Sequence, residues 1–367
     1  MSTMLERVLV RCHQLRASDI HLGCYAEPTF RVHGSLVKDS YRLNADDMEA
    51  ILLALLHERV GSETSASSET LLPGEGSLDF GYSDSEGRRY RINAYRSMGQ
   101  LTVAIRYLNN SFSTLAELKL PEQIHQLVSA HSGLVLVCGA TGSGKSTTLA
   151  ALMHQINQTR PVHTITIEDP VEFVHPEGKG LVHQRELGRD FSSFSLALKA
   201  ALREDPDVLM VGEMRDLDTI RAALTAAETG HLVFSTLHTN DAVSSVERLV
   251  GAFPGIEQDL ARARLSRCLR AVIAQRLLPT SNRQGRIPAV EILLGNSATG
   301  NLIENDKTRQ LYAVMENHRD AGMQTLDQSL AALVAQRWIE HEEALKHARN
   351  PAQFDSLVAQ LGNQRGY

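Results

Sequence analysis

The chain has 367 residues, enough for two domains, with 43% hydrophobic and 22% charged residues, which is ordinary globular composition. Its 37 basic and 43 acidic side chains leave a net charge of −6, which excludes a protein built mainly to coat nucleic acid. The four cysteines, Cys12, Cys24, Cys138 and Cys268, are scattered without a C-x-x-C pair, which argues against a disulfide framework or a zinc knuckle, and no apolar run approaches the roughly 18 residues of a membrane span.

Residues 1–15 read as an amphipathic helix and not as a signal peptide, since Glu6, Arg7 and Arg11 interrupt the apolar positions. Asp19–Leu22 and Phe30–Val32 alternate in polarity, as half-buried strands do. Asp46–Val60 is a helix with an acidic first turn and Gly61 after its end, and Ser62–Thr70 is polar and aperiodic, a loop. Ser77–Tyr82, Arg89–Tyr95 and Leu101–Tyr107 are strands separated by turn residues. Residues 1–108 therefore form a small α+β domain, and 109–118 opens on a polar NNSFST linker.

From residue 119 the rhythm changes to buried strand, loop, helix. Leu134–Cys138, Thr164–Ile167, Val208–Val211 and Leu232–Ser235 are continuous apolar or β-branched runs, as in parallel strands covered on both faces. Helical stretches at Ser146–Asn157, Ser195–Glu204 and Asp218–Thr229 lie between them, so residues 119–367 are expected to be a doubly wound α/β domain with a helical tail over Gly322–Arg349.

Gly139-Ala140-Thr141-Gly142-Ser143-Gly144-Lys145-Ser146 matches G-x-x-x-x-G-K-[ST], with a strand before it and a helix after it. Glycines let backbone N–H groups turn inward around a phosphate, and the helix N-terminus adds positive potential. Lys145 is placed for the outer phosphates and Ser146 for Mg²⁺; Thr147 completes the candidate nucleotide-binding set. Two further strand ends carry acids, Glu168-Asp169 and Glu213 through Asp216, where the ligand crevice of a parallel sheet lies. Glu213 is the candidate to orient or deprotonate an attacking water, with Glu168 near the metal and the water. The alternative for these acids is capping of the following helices. His231 and His238 flank the strand Leu232–Ser235 and are candidates either to read a γ-phosphate or to support the sheet.

These residues, taken together, resemble the secretion ATPase superfamily, and within it the PilT-like retraction ATPases of type IV pili. The likeness spans nearly the whole chain. It rests on Ala17–Leu22, on Leu78–Tyr82 with Arg89–Asn93, on the phosphate loop, on an Asp box in Thr166–Phe173, on a Walker B block in Arg203–Asp216, and on a His box in Ala223–His238. The resemblance implies a PAS-like N-terminal domain and a RecA-like C-terminal domain with ATP between them, assembled as a cytoplasmic homohexamer at the inner face of the bacterial inner membrane. It implies Glu213 as the catalytic glutamate, His231 and His238 as γ-phosphate sensors, and Arg89, Arg91 and Arg106 as arginines reaching nucleotide. The alternative for those arginines is that they are solvated strand charges. The implied work is ATP- and Mg²⁺-dependent pilus retraction through an inner-membrane platform protein, with no nucleic-acid partner. Conjugative or type IVB secretion ATPases share the same blocks and stay open as readings, as does an accessory role beside another pilus ATPase. One departure stands out: Gly300 and Glu304 occupy positions where the retraction ATPases carry arginines.

Overall fold

The computed structural model describes residues 3–60, 72, 76–108 and 112–363; the expected loop Ser62–Thr70 and linker residues 109–111 lie outside them. The chain divides into two compact units, the first comprising residues 1–111, 169–174 and 186–190 and the second the remainder. The first unit thus takes in two short segments from far along the sequence.

In the first unit, β1 (Asp19–Gly23), β2 (Thr29–Val32), β3 (Ser35–Lys38), β4 (Leu78–Ser83), β5 (Arg89–Ser97) and β6 (Gln100–Leu108) form one sheet in the order β3-β2-β1-β6-β5-β4, every pairing antiparallel. Helix α1 (Met4–Leu15) starts at a capping box, in which Thr3 and Glu6 satisfy each other's backbone N–H groups. Its apolar stripe of Leu5, Val8, Leu9 and Cys12 joins Met48, Ile51, Leu52, Leu55 and Leu56 of α2 (Ala45–Val60) in one core. Ile20, Leu22, Phe30, Tyr90, Ile92, Val103 and Ile105 of the sheet complete it. Burying each such side chain is worth about 1.5–3 kcal/mol, so this alternation selects which face of the sheet the helices cover.

The second unit is built on seven strands in the order β13-β12-β7-β11-β10-β8-β9. These are β7 (Gly133–Cys138), β8 (His163–Glu168), β9 (Leu181–Glu186), β10 (Val208–Val211), β11 (Leu232–Leu237), β12 (Leu269–Pro279) and β13 (Arg286–Leu294). β12, β7, β11, β10 and β8 run parallel, and β13 folds back antiparallel on β12. All six residues of β7 and of β11 are buried, as continuous apolar strands between helical layers must be. The tail forms three helices, Leu326–Ala335, His341–Leu345 and Pro351–Asn363. Both oxygens of the buried Asp327 accept backbone N–H groups of Arg349 and Asn350, which ties the last helix to the first of the three.

Candidate nucleotide-binding site

The parallel strands end along one edge of the sheet, and the phosphate loop begins there. Gly139 follows β7 and its N–H donates to the Leu237 carbonyl at the end of β11. Glycine is required at two points of the loop. Gly139 has φ +146° and an added Cβ would stand 2.4 Å from the Gln275 carbonyl, while Gly144 has φ +90° and an added Cβ would stand 2.7 Å from the Gln275 side-chain nitrogen. The helix Lys145–Thr159 starts immediately after, with Gly144 at its N-cap and no side-chain cap, and the N-terminus of such a helix favours an anion. The buried Lys145 ammonium donates to the carbonyls of Gly139 (2.8 Å) and Ala140 (3.1 Å), folded over the loop. Donors that converge on a space fringed by glycine suit a phosphate chain. A cavity of about 340 Å³ opens along the first half of the loop, walled by Asn240, Arg276 and His347, and a second of about 350 Å³ lies beside Thr147, Lys119 and Trp338.

Glu213 sits two residues past β10 on this same edge. Its largely buried carboxylate pairs with Arg215 through one oxygen, and the His238 Nε2 lies 3.6 Å from the other. Glu168, the last residue of β8, accepts from the Thr166 hydroxyl (2.7 Å) and from the Gln184 amide (3.1 Å). The sheet register therefore brings Glu168, Glu213, His238 and the phosphate loop to one edge. Asp216 does something else. It caps the helix Leu217–Glu228 by accepting from the Thr219 N–H and hydroxyl, the helix-capping alternative for these acids.

His231 lies apart from His238. It precedes β11 and its carbonyl accepts from the Gly133 N–H at the start of β7, whereas His238 follows the other end of β11. Six strand residues lie between them, so their backbones are roughly 23 Å apart at about 3.3 Å per residue. Within one chain His231 belongs to the opposite sheet edge, where its Nδ1 lies 3.0 Å from the Ala226 carbonyl and 3.2 Å from the Thr229 hydroxyl.

The three N-terminal arginines, all in the first unit, separate by environment. Arg91 and Arg106 stand directly opposite each other on β5 and β6. Arg91 has Asp79 at 3.8 Å, and the Arg106 Nε donates to Asp19 at 2.7 Å. Burial works to raise the Asp19 carboxyl, but the hydrogen bonds from Arg106 and Ser18 outweigh it and hold the group below the ordinary carboxylate range. Arg89 differs from both, because its guanidinium is buried inside the first unit and is not a solvated strand charge. It donates to the Val171 carbonyl (2.8 Å), the Glu186 carboxylate (3.2 Å) and the Ser83 hydroxyl (3.0 Å). Glu186 in turn accepts from the N–H groups of Gly81 and Val171. Gly81 is needed here, since an added Cβ would meet the Arg89 guanidinium at 2.4 Å.

Sequence reasoning missed two polar residues that tie the site together, Gln184 and Gln275. Gln275 had one available signal, a buried amide interrupting the apolar run of β12. Gln184 also accepts from the His175 N–H (2.9 Å), and the His175 and His154 rings both pack on Phe112, with centroids 4.9 and 4.6 Å away. Burial, with the nearby His154, pushes the His175 imidazole down to about 4 from 6.5. The unfolded chain thus takes up this proton as pH falls below about 6.5, and the folded chain does so only near 4. His175 costs nothing above that window and destabilises progressively as pH falls through it. Urea denaturation should show wild type losing about 2 kcal/mol more than His175→Phe between pH 7 and pH 5. Parallel losses in the two proteins would contradict this account.

The sequence model of the family described as type II/IV secretion system protein matches residues 1–346. The chain belongs to this family. Among secretion-family relatives, the twitching motility protein of Neisseria gonorrhoeae is 44% identical over 330 residues, covering 89% of this chain and 85% of the relative. The type IV pilus retraction ATPase PilT of Pseudomonas aeruginosa is 43% identical over 339 residues, 92% of this chain and 96% of the relative. The crystal structure of the pilus retraction motor PilT with bound ADP superposes with a TM-score of 0.85 at 41% identity, covering 97% of this chain and all (100%) of that one.

Proposed function

We propose that this chain is a motor ATPase of the pilus-retraction type, working as a cytoplasmic homohexamer on an inner-membrane platform protein. The observation that carries the reading is the meeting of Glu213 and His238 at the strand edge from which a complete phosphate loop begins. In this reading the loop amides of residues 140–146 and Lys145 hold the phosphates of ATP, and the Ser146 hydroxyl with Glu168 holds Mg²⁺, which supplies charge neutralisation on the phosphates. Glu213 accepts the proton of the attacking water, and His238 keeps a polar hydrogen next to the transferred group. Arg91 and Arg106 supply positive charge to a neighbouring subunit's nucleotide, a role in which a single arginine is worth about 10³–10⁵ in rate in other nucleotidases.

A second reading, in which the motor serves a divergent machine or assists another pilus ATPase, is favoured by the helix Ser297–Glu304. Gly300 is buried there, and an added Cβ would stand 3.0 Å from the Ser266 carbonyl of the neighbouring helix Gln258–Cys268, so an arginine here requires the helix pair to give by a few tenths of an ångström. Thr299 belongs to the capping box with Asn296. An arginine at residue 300 would press on the Ser266 backbone, whereas the exposed Glu304 accepts arginine without that cost. The test is expression in a pilus-bearing host that lacks its retraction ATPase. Restored twitching by wild type, lost in Glu213→Gln, supports the first reading. Hydrolysis without twitching, with twitching gained by Glu304→Arg, supports the second. Absence of nucleotide hydrolysis sinks both.

A further inference from the structure

Gln275 is a fully used amide beneath the phosphate loop. It comes from β12, is 3% exposed, and spends both ends of its side chain on neighbouring elements. Its Nε2 donates to the Ser143 carbonyl at 2.8 Å, and its Oε1 accepts from the Thr148 hydroxyl at 2.8 Å. Ser143 lies inside the loop and Thr148 in the first turn of the helix that follows, so one side chain staples the loop to the helix. The glycines of the loop make room for this staple. A Cβ at Gly144 would collide with the amide, and one at Gly139 would collide with the Gln275 backbone.

The direction of the first bond matters most. In a trans peptide the C=O of Ser143 and the N–H of Gly144 point in opposite directions from one rigid plane. Drawing the Ser143 carbonyl down towards β12 therefore turns the Gly144 N–H away from β12, into the cradle where an anion would sit. We propose that Gln275 is a positioning residue for the phosphate chain of a nucleoside di- or triphosphate, acting by setting this peptide plane. The proposal rests on the nucleotide-binding reading above. It adds a residue outside the loop motif whose loss would be felt in phosphate affinity. A donor aimed before the ligand arrives costs no ordering at binding, and a hydrogen bond to a charged oxygen is among the stronger ones.

The experiment is titration of the full-length protein with a fluorescent ADP analogue, together with KM and kcat for ATP. Gln275→Met keeps the volume and removes both hydrogen bonds; Thr148→Val removes only the helix end of the staple. Gln275→Met should weaken ADP binding about tenfold or more and raise KM for ATP more than it lowers kcat, the signature of lost ground-state binding. Thr148→Val should lose less than about threefold, because the Ser143 plane is still held. Equal losses in the two variants, or ADP affinity in Gln275→Met within twofold of wild type, would overturn the proposal. Should Gln275→Met fold poorly, Gln275→Glu decides. It retains the acceptor for Thr148 but not the amide donor for Ser143, so it should show the same loss of ADP affinity, and wild-type affinity there would overturn the proposal. If wild type itself binds no ADP, the nucleotide reading fails, an outcome distinct from failure of the staple.

Discussion

Glu213→Gln is expected to slow Mg²⁺-dependent phosphate release at least about 10²-fold while leaving ATP binding within a few fold of wild type. Glutamine has the same shape, so the strand end and the loop beside it are not disturbed. What disappears is the negative charge that pairs with Arg215 and lies 3.6 Å from His238, and with it the carboxylate assigned to take the water's proton. The amide cannot take a proton from water. Steady-state phosphate release on purified oligomer measures the first quantity, and equilibrium titration with a fluorescent nucleotide measures the second. Turnover comparable to wild type would remove Glu213 from this role. Loss of binding and turnover together would instead assign it to holding nucleotide.

Lys145→Ala should weaken nucleotide binding about 10²-fold or more. The ammonium now occupies itself with two loop carbonyls, at 2.8 and 3.1 Å. A phosphate chain offers it a full negative charge in place of neutral carbonyl oxygens, so the exchange adds an ion pair to bonds that the ammonium already makes. Each is worth about 1.5–3 kcal/mol, so losing one or two of them converts to the stated factor at about 1.4 kcal/mol per decade. Alanine also leaves the two carbonyls without this donor. Thermal melting of the apo protein separates that cost from the loss of charge. A variant that melts normally and binds nucleotide as well as wild type would contradict the assignment of Lys145 to the phosphates.

The parts of this molecule that were legible in its sequence are those where chemistry restricts the residue type. The phosphate loop needs glycine at positive φ and a lysine at a fixed offset, and the apolar runs of β7, β8, β10 and β11 admit no other placement than a covered parallel sheet. Position along a strand was harder. His231 and His238 are close in sequence, yet an extended segment separates its own ends further than any other conformation does, and only the register showed which end meets the loop. The strand β3 was invisible because all four of its residues are exposed, so it has no alternation to read. The hairpin of β12 and β13 was missed because Gln275 and Arg276 interrupt its apolar run. Arg89 shows the limit of alternation as evidence. A polar residue on the outward face of a strand looks solvated until a segment nearly a hundred positions away in the chain arrives to cover it.

That arrival has a practical corollary. Residues 169–174 and 186–190 belong to the first unit, so the polypeptide passes from one unit to the other five times. The amino-terminal 111 residues are therefore not a cassette. Cutting them away, or grafting them onto another motor, would strip Glu186 of the Arg89 guanidinium and of the Gly81 N–H, and the Val171 carbonyl of its guanidinium donor. Chimeras between members of this family keep their seams intact only when the donor also supplies both short segments. The stretch between those segments, residues 175–185, carries most of β9, so an insertion there would lengthen the path between two segments that both hold Arg89.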